Sequence, residues 1–212
     1  MTDLMAALSL HRIVPVVVID DAGCATGLAE ALITGGLPVA EVTFRTPAAA
    51  EAIRIIAERG DVIVGAGTVL TPQQVDVAVS AGASFIVSPG FSRAVVDRCA
   101  HHGVLALPGA VTATEIQAAL EAGLDAVKFF PAATSGGPEA IRALTGPFPD
   151  LRIVPTGGIG LSNLRDYLSI DAVVAVGGSW MVPRELIAQG AFTEIARLVW
   201  EAVELAALAR VT

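Results

Sequence analysis

The chain contains twelve arginines but a single lysine, Lys128, which lies in the apolar run DAVKFFPA at positions 125–132. An arginine would serve wherever only a positive charge is needed, so a lone lysine here indicates a task for which a guanidinium is unsuited. An amine can lose its proton and attack a carbonyl carbon, and apolar surroundings favour its neutral form. The sequence therefore predicts that Lys128 is a nucleophile. The alternative is a strand-end lysine whose stem lies on apolar surface while its ammonium group reaches water.

Two further charged side chains occur in the strand-like segment VAEVTFR at positions 39–45. Glu41, Thr43 and Arg45 are spaced two apart, so they point to one side if the strand continues through them. Glu41 and Arg45 would then lie about 13 Å apart, which predicts that they serve different parts of one ligand. A carboxylate turned into an apolar interior suits proton transfer, and a guanidinium matches a carboxylate or phosphate. The alternative is that each pairs with a surface charge elsewhere.

Two glycine pairs occur in the segments PTGGIG at positions 155–160 and VGGSW at positions 176–180. Glycine loops let backbone N–H groups approach an anion closely, particularly where a helix follows. The two segments lie at the ends of the seventh and eighth of the strands predicted below, and loops at those positions are the frequent phosphate site of parallel barrels. The pair of loops therefore predicts a phosphate site, although each Gly-Gly taken singly is equally typical of an ordinary turn.

The arrangement of apolar runs predicts the fold. Runs rich in β-branched residues alternate with alanine-rich helical patterns, which predicts strands at 13–19, 39–44, 62–67, 84–89, 104–109, 126–131, 152–158 and 173–178. Helices are predicted near 21–35, 47–59, 71–81, 92–102, 112–122, 138–145, 161–169 and 191–209, with starts at Thr46-Pro47, Thr71-Pro72 and Ser162. Eight strand–helix units predict an α/β protein, a (β/α)8 TIM barrel forming a single domain over residues 1–212. A doubly wound open sheet is the alternative.

Composition and charge limit the function classes. Hydrophobic residues make up 54% of the chain, yet no apolar run approaches the roughly eighteen residues of a membrane-spanning helix. We therefore expect the surplus to be buried in parallel strands, with a subunit interface as a second place for it. The net charge of −8 argues against nucleic acid as a partner. The acidic start favours a cytoplasmic location, and neither the two cysteines nor the three histidines show metal-ligand spacing.

Several segments, taken in order, resemble a known family over essentially the whole chain. They are VPVVVID, EVTFRT, VGAGTVLTPQQ, SPGF, LPGAVTATE, KFFPA, GPFPDLRIVPTGGI and GGSWMVP. In these motifs the chain resembles the 2-keto-3-deoxy-6-phosphogluconate (KDPG) aldolases, class I Schiff-base enzymes that also include 4-hydroxy-2-oxoglutarate (KHG) aldolases. The resemblance implies a (β/α) barrel, commonly assembled as a homotrimer, that needs no metal and no cofactor.

The resemblance also implies a role for each residue that matches a family motif. Lys128 would form the Schiff base and Glu41 would be the general acid and base. The remaining residues would surround the substrate: Arg45, Thr68 and Pro89 near the pyruvate carboxylate, Phe130 beside the imine, and Thr156, Gly157, Gly158 and Ser179 at the phosphate end.

The implied substrate is a phosphorylated 2-keto acid, KDPG, cleaved reversibly to pyruvate and glyceraldehyde 3-phosphate. Two departures from the family pattern bear on fine specificity: Phe44 stands where leucine is usual, and LPGAVTATE varies a stretch often written with isoleucine and serine. The alternatives are a KHG or 2-keto-3-deoxy-6-phosphogalactonate aldolase and, from another class, a non-catalytic barrel that binds a phosphate ligand.

Overall fold

The computed structural model describes the backbone of residues 2–209 and the side chains of residues 5–209, and its strands are short, buried and parallel. They are β1 (Ile13–Val17), β2 (Val39–Thr43), β3 (Ile63–Gly67), β4 (Phe85–Val87), β5 (Leu105–Leu107), β6 (Ala126–Phe129), β7 (Arg152–Pro155) and β8 (Val176–Gly178). Each lies within a predicted strand but is shorter than predicted, because hydrogen-bonded pairing covers only part of each apolar run.

Helices alternate with these strands. They are α1 (Thr2–His11), α2 (Ala25–Thr34), α3 (Ala49–Arg59), α4 (Pro72–Ser80), α5 (Arg93–His102), α6 (Ala113–Glu121), α7 (Gly137–Thr145), α8 (Leu164–Leu168), α9 (Arg184–Ala188) and α10 (Phe192–Leu208), with a short 3-10 turn at Ala22–Cys24 before α2. The alternation confirms the predicted α/β class.

The six strands β5-β4-β3-β2-β1-β8 form one parallel sheet, in that order, curved into half a barrel. Strands β6 and β7 pair with each other in parallel. Single bridges connect this pair to the larger sheet: Gly109 with Lys128 on one side, and Ile153 with Val173 and Thr156 with Gly177 on the other. Parallel strands place their carboxyl ends at one edge, so the residues that follow them gather there.

The helix boundaries differ from the predictions in several places. The predicted helices did not include α1, and α9 was indicated only by Pro183, a residue that can open a helix. The start at Thr71-Pro72 is confirmed, since the Thr71 hydroxyl accepts a hydrogen bond from the Gln74 N–H in a capping box. The start at Thr46-Pro47 is wrong: the N-cap of α3 is Ala48, and the Thr46 hydroxyl instead donates to the Ile19 carbonyl.

The start at Ser162 is also wrong, since the N-cap of α8 is Asn163. The Asn163 side chain accepts a hydrogen bond from the Gly160 N–H at 2.9 Å and donates one to the Gly158 carbonyl at 2.9 Å. The amide thus closes the PTGGIG loop, and the helix begins later than a cap at Ser162 would place it.

The apolar core has two parts. One lies between the strands and the surrounding helices, with Leu28, Ile53 and Ile56 fully buried. The other contains side chains from alternate strand positions, such as Val14, Val39 and Phe85, together with Met5 and Leu8 of α1. The buried polar side chains among the described residues are Glu41, Thr43, Ser88, Lys128 and Thr156. In the part of the chain that the structure describes, no helix has both the length and the apolar composition needed to cross a membrane.

Candidate active site

Lys128 and Glu41 are brought into contact inside the strand layer. Lys128 lies on β6 and Glu41 on β2, and the lysine Nζ donates a hydrogen bond to Glu41 Oε1 at 3.1 Å. Their side chains are only 8% and 4% exposed. The backbone fixes the lysine, because its N–H donates to the Pro108 carbonyl at 2.9 Å and its carbonyl accepts from the Ala110 N–H at 2.8 Å. A buried amine therefore has a buried proton acceptor within direct reach.

The neighbouring strand leaves room for the Glu41 carboxylate. Strands β2 and β3 pair so that Glu41 lies opposite Gly65 and Thr43 opposite Gly67. A Cβ atom on Gly67 would lie 2.2 Å from Glu41 Oε1 and 2.7 Å from its Cγ, far inside van der Waals contact. The glycine in GAGT is thus a steric requirement for the position of Glu41, a role that the sequence prediction missed.

Phe130 lies beside Lys128, and Arg45 lies in the loop after β2. The lysine Nζ is 5.2 Å from the centre of the Phe130 ring. Strand β2 ends at Thr43, so Arg45 lies in the loop and the 13 Å separation expected for a continuing strand does not apply. The Arg45 side chain is exposed and forms no ion pair with another described residue.

Thr68 and Pro89 lie at the ends of the two strands beyond β2. Thr68 directly follows β3 with a positive φ of 56°, an uncommon conformation for a residue other than glycine. Pro89 follows the buried Ser88 after β4, and its carbonyl oxygen would lie 2.0 Å from a Cβ on Gly109. Both are at the same edge as Glu41, but neither lines the cavity described next.

A cavity of about 420 Å³ opens at the carboxyl ends of the strands. Six residues predicted to bind substrate line it: Arg45, Phe130, Thr156, Gly157, Gly158 and Ser179. Lys128 and Glu41 do not line it, but the Lys128 Nζ lies 5.2 Å from the ring of Phe130, which does. The structure therefore brings Arg45, from the predicted carboxylate group, and the predicted phosphate residues to one opening, with the buried amine near it.

Three glycines of the two pairs, Gly157, Gly158 and Gly178, form part of the cavity wall. Gly157 and Gly158 have positive φ values of 98° and 73°, which only glycine adopts without strain. A Cβ on Gly177 would lie 2.2 Å from the Thr156 hydroxyl. That hydroxyl is buried and has no hydrogen-bond partner in the described part of the chain. Thr156 thus lines the cavity, while its hydroxyl is enclosed beside Gly177 without a partner.

The prediction missed Arg184 and Glu185, which line this opening, and Asp20, which pairs with Arg184. Arg184 lines the cavity, and its Nε and one terminal nitrogen donate to the two carboxylate oxygens of Asp20, both at 2.7 Å. The hydrogen bonds from Arg184 hold the pKa of the Asp20 carboxyl below its usual range. No motif contains both residues, since they are 164 positions apart. The proximity of β1 and β8, which pair through Val14 and Gly177, brings their loops together.

The remaining candidate thiols and imidazoles lie outside the site. Cys99 is buried in α5, and burial raises the pKa of its thiol to about 11, which makes it a poor nucleophile. His102 contacts Asp76 at 2.6 Å on an exposed surface between α4 and α5. Among residues 5–209, no group of three or more His, Cys, Asp or Glu side chains could hold a metal ion.

A buried amine that contacts a buried carboxylate beside an open cavity, at the carboxyl ends of parallel strands, is typical of α/β enzymes that act through a Schiff base. The comparison with known proteins is more specific. The chain belongs to the family of KDPG and KHG aldolases, whose pattern matches residues 4–198.

Three similar proteins illustrate the relationship. The 2-dehydro-3-deoxy-phosphogluconate aldolase of Treponema pallidum is 48% identical over 206 residues, covering 97% of this chain and 98% of that protein. The KDPG aldolase structure from Legionella pneumophila, with pyruvate captured as a covalent carbinolamine, has a TM-score of 0.90 at 39% identity, covering 93% of this chain and 96% of that one. The Zymomonas mobilis enzyme with 3-phosphoglycerate has a TM-score of 0.88 at 40% identity, covering 95% of each chain.

Proposed function

We propose that this chain is a class I lyase that cleaves KDPG reversibly to pyruvate and glyceraldehyde 3-phosphate, with Lys128 as the Schiff-base residue. The contact between the buried Nζ of Lys128 and Oε1 of Glu41 is the observation that carries the proposal. The family relationship and the full-length similarity to KDPG aldolases support the same reaction.

The first stage joins the substrate to the enzyme. Lys128 passes a proton to Glu41 and attacks the C2 ketone, which gives a carbinolamine. Glu41 then returns the proton to the C2 hydroxyl, water leaves, and a protonated imine forms. The 3.1 Å contact allows this exchange without movement of either backbone.

The second stage breaks the carbon–carbon bond. Glu41, again a carboxylate, accepts the proton of the C4 hydroxyl while the C3–C4 bonding electrons move into the protonated imine. Glyceraldehyde 3-phosphate leaves and an enamine remains on Lys128. Protonation at C3 regenerates the imine, and water hydrolyses it to pyruvate and free lysine.

The substrate is held at both ends. Arg45, with Thr68 and Pro89, would hold the pyruvate carboxylate, and Phe130 would pack beside the imine. Thr156, Gly157, Gly158 and Ser179 would hold the phosphate, since all four line the cavity and the Thr156 hydroxyl lacks a partner among the described residues. Fixing both ends positions the scissile bond by binding energy remote from the reaction.

The proposal also covers the closed barrel, the single domain, the assembly and the location. The bridges from Gly109 to Lys128 and from Thr156 to Gly177 support a closed eight-stranded (β/α)8 barrel that forms one domain. The pairing of β1 with both β2 and β8 also favours a barrel over a doubly wound open sheet. We further propose a homotrimer, as the family resemblance implies, and a cytoplasmic location.

Trapping the imine tests the proposal. Incubation with pyruvate and borohydride should add to the intact chain the mass of pyruvate less water plus two hydrogen atoms. Lys128→Arg keeps the charge but should give no adduct and no cleavage of KDPG. A non-catalytic phosphate-binding barrel predicts no adduct for either protein, and an adduct on Lys128→Arg would place the chemistry elsewhere.

A further inference from the structure

The mouth of the cavity carries two arginines on different loops. Arg45 follows β2, the strand that holds Glu41, whereas Arg184 lies in the segment after β8, at the start of α9. Arg184 thus belongs to the same segment as Ser179, a proposed phosphate residue. Arg45 follows the strand of Glu41, so it lies toward the end of the substrate that carries the reacting carbons. The two cations therefore lie toward opposite ends of a bound substrate.

Arg184 is oriented by Asp20. The two parallel hydrogen bonds, both 2.7 Å, use Nε and one terminal nitrogen of the guanidinium. An arginine has five N–H donors, so three remain for a ligand. The two side chains are 57% and 46% exposed, so the pair adds little to stability and acts chiefly by fixing the direction of the guanidinium.

A site for a dianionic phosphate needs a positive charge as well as uncharged hydrogen-bond donors. Glu185 also lines the cavity and opposes an anion, and Asp20 offsets part of the charge of Arg184. The glycine loop and Ser179 supply uncharged donors, and Arg184 is the described cation on the phosphate side of the cavity. Its remaining N–H groups suit a phosphate oxygen, because charge-assisted hydrogen bonds to anions are the strong ones.

We propose that Arg184, held by Asp20, is a specificity-determining residue that recognises the terminal phosphate of the substrate and selects phosphorylated 2-keto acids. This inference rests on the proposed aldolase function and deepens it. Pyruvate has no group that reaches Arg184, since its three carbons end at the bond that breaks. Imine formation with pyruvate should therefore be unaffected by a change at Arg184. Its rate is the reference against which a loss of KDPG cleavage is measured.

The test compares two rates in each variant: kcat/KM for KDPG cleavage and the rate at which borohydride traps pyruvate on Lys128. For Arg184→Met, the ratio of the first to the second should fall roughly tenfold to 100-fold, mainly through KM. Arg184→Lys should recover most of the ratio, because the charge remains. Inorganic phosphate should inhibit KDPG cleavage competitively in the unaltered enzyme and more weakly in Arg184→Met.

The matched control is Arg197→Met. Arg197 is also an exposed arginine with two hydrogen bonds to one carboxylate, that of Glu194, but it lies on α10 outside the cavity. In Arg197→Met, the ratio of kcat/KM for KDPG cleavage to the rate of pyruvate trapping should match that of the unaltered enzyme. An unchanged ratio in Arg184→Met, or an equal loss in Arg184→Lys, overturns the role of Arg184 and leaves the aldolase function intact. Failure of the unaltered enzyme to trap pyruvate overturns the aldolase function itself.

Discussion

Lys128 and Glu41 are 87 positions apart in the chain, yet they make the contact on which the proposed chemistry depends. Each is buried, and an isolated buried charge would be strongly unfavourable. The 3.1 Å hydrogen bond pairs the amine with the carboxylate, so neither group is buried without a partner. The same pair supplies the acid and base that imine formation requires.

The substitution Glu41→Gln should separate imine formation from cleavage. A glutamine side chain keeps the size of the glutamate but cannot accept the C4 hydroxyl proton. We expect KDPG turnover to fall roughly 10²- to 10⁴-fold, while slow trapping of pyruvate by borohydride persists. Steady-state kinetics and intact mass measure the two effects. An unaffected turnover would remove Glu41 from the mechanism.

The residue types were the most predictable part of the site. A single lysine among twelve arginines, in an apolar strand, pointed to Lys128 without any structure. The Asp20–Arg184 pair was not predictable, because neither residue type is unusual and only the closure of β8 against β1 brings them together. Contacts between distant segments depend on topology, which periodicity does not encode.

At the scale of elements, strand register places one glycine against each key polar group. Gly67 lies beside the Glu41 carboxylate, and Gly177 lies beside the Thr156 hydroxyl. Sequence patterns located these strands but assigned their glycines to strand ends or phosphate loops. Pairing across neighbouring strands decides which residue faces which, and that pairing became visible only in the fold.

Gly67→Ala tests the register argument. The new Cβ would lie 2.2 Å from Glu41 Oε1, so the carboxylate must move away from Lys128. We expect KDPG turnover to fall by as much as roughly 100-fold, because small displacements of catalytic groups have large effects. Overpacking should also lower the free energy of unfolding by about 1–3 kcal/mol. Kinetics and chemical denaturation report the two changes.

The control for that substitution is Gly146→Ala. Gly146 has no positive φ, and the nearest atom to a new Cβ is the Ala143 carbonyl oxygen at 3.6 Å, an ordinary contact. This variant should match the unaltered protein in both measurements. If Gly67→Ala were as active as Gly146→Ala, the space at Gly67 would not determine where Glu41 lies.

The elements that sequence reasoning missed are those without a strong pattern. Helix α9 has only five residues, too few for a helical period to be recognised, so Pro183 as a possible helix start was its one signal. Helix α1 precedes β1 with one intervening residue, Arg12, so its apolar side chains merge with the strand in the sequence. Met5 and Leu8 nevertheless pack with the inward side chains of the strands, which shows that α1 completes the core.

At the scale of the whole molecule, the core of the described residues does not bury all of the large hydrophobic side chains. The mean hydropathy is +0.68, and several large apolar side chains remain more than half exposed: Leu10, Leu70, Trp200 and Leu208. Single exposed apolar side chains are common on monomeric proteins, so these four do not by themselves require an interface. The proposed homotrimer therefore rests on the family resemblance, and a stable interface would remove on the order of 1,200–2,000 Å² from solvent.

Light scattering coupled to size-exclusion chromatography tests the assembly. A homotrimer should give a mass of about 65 kDa, three times the 21.6 kDa of one chain, and should keep it over a dilution series. A mass near that of one chain would contradict the trimer but not the chemistry, because Lys128, Glu41, Arg45 and Arg184 all come from one chain. The assembly and the active site are thus separable, and a monomer that still cleaves KDPG would place the whole reaction within a single subunit.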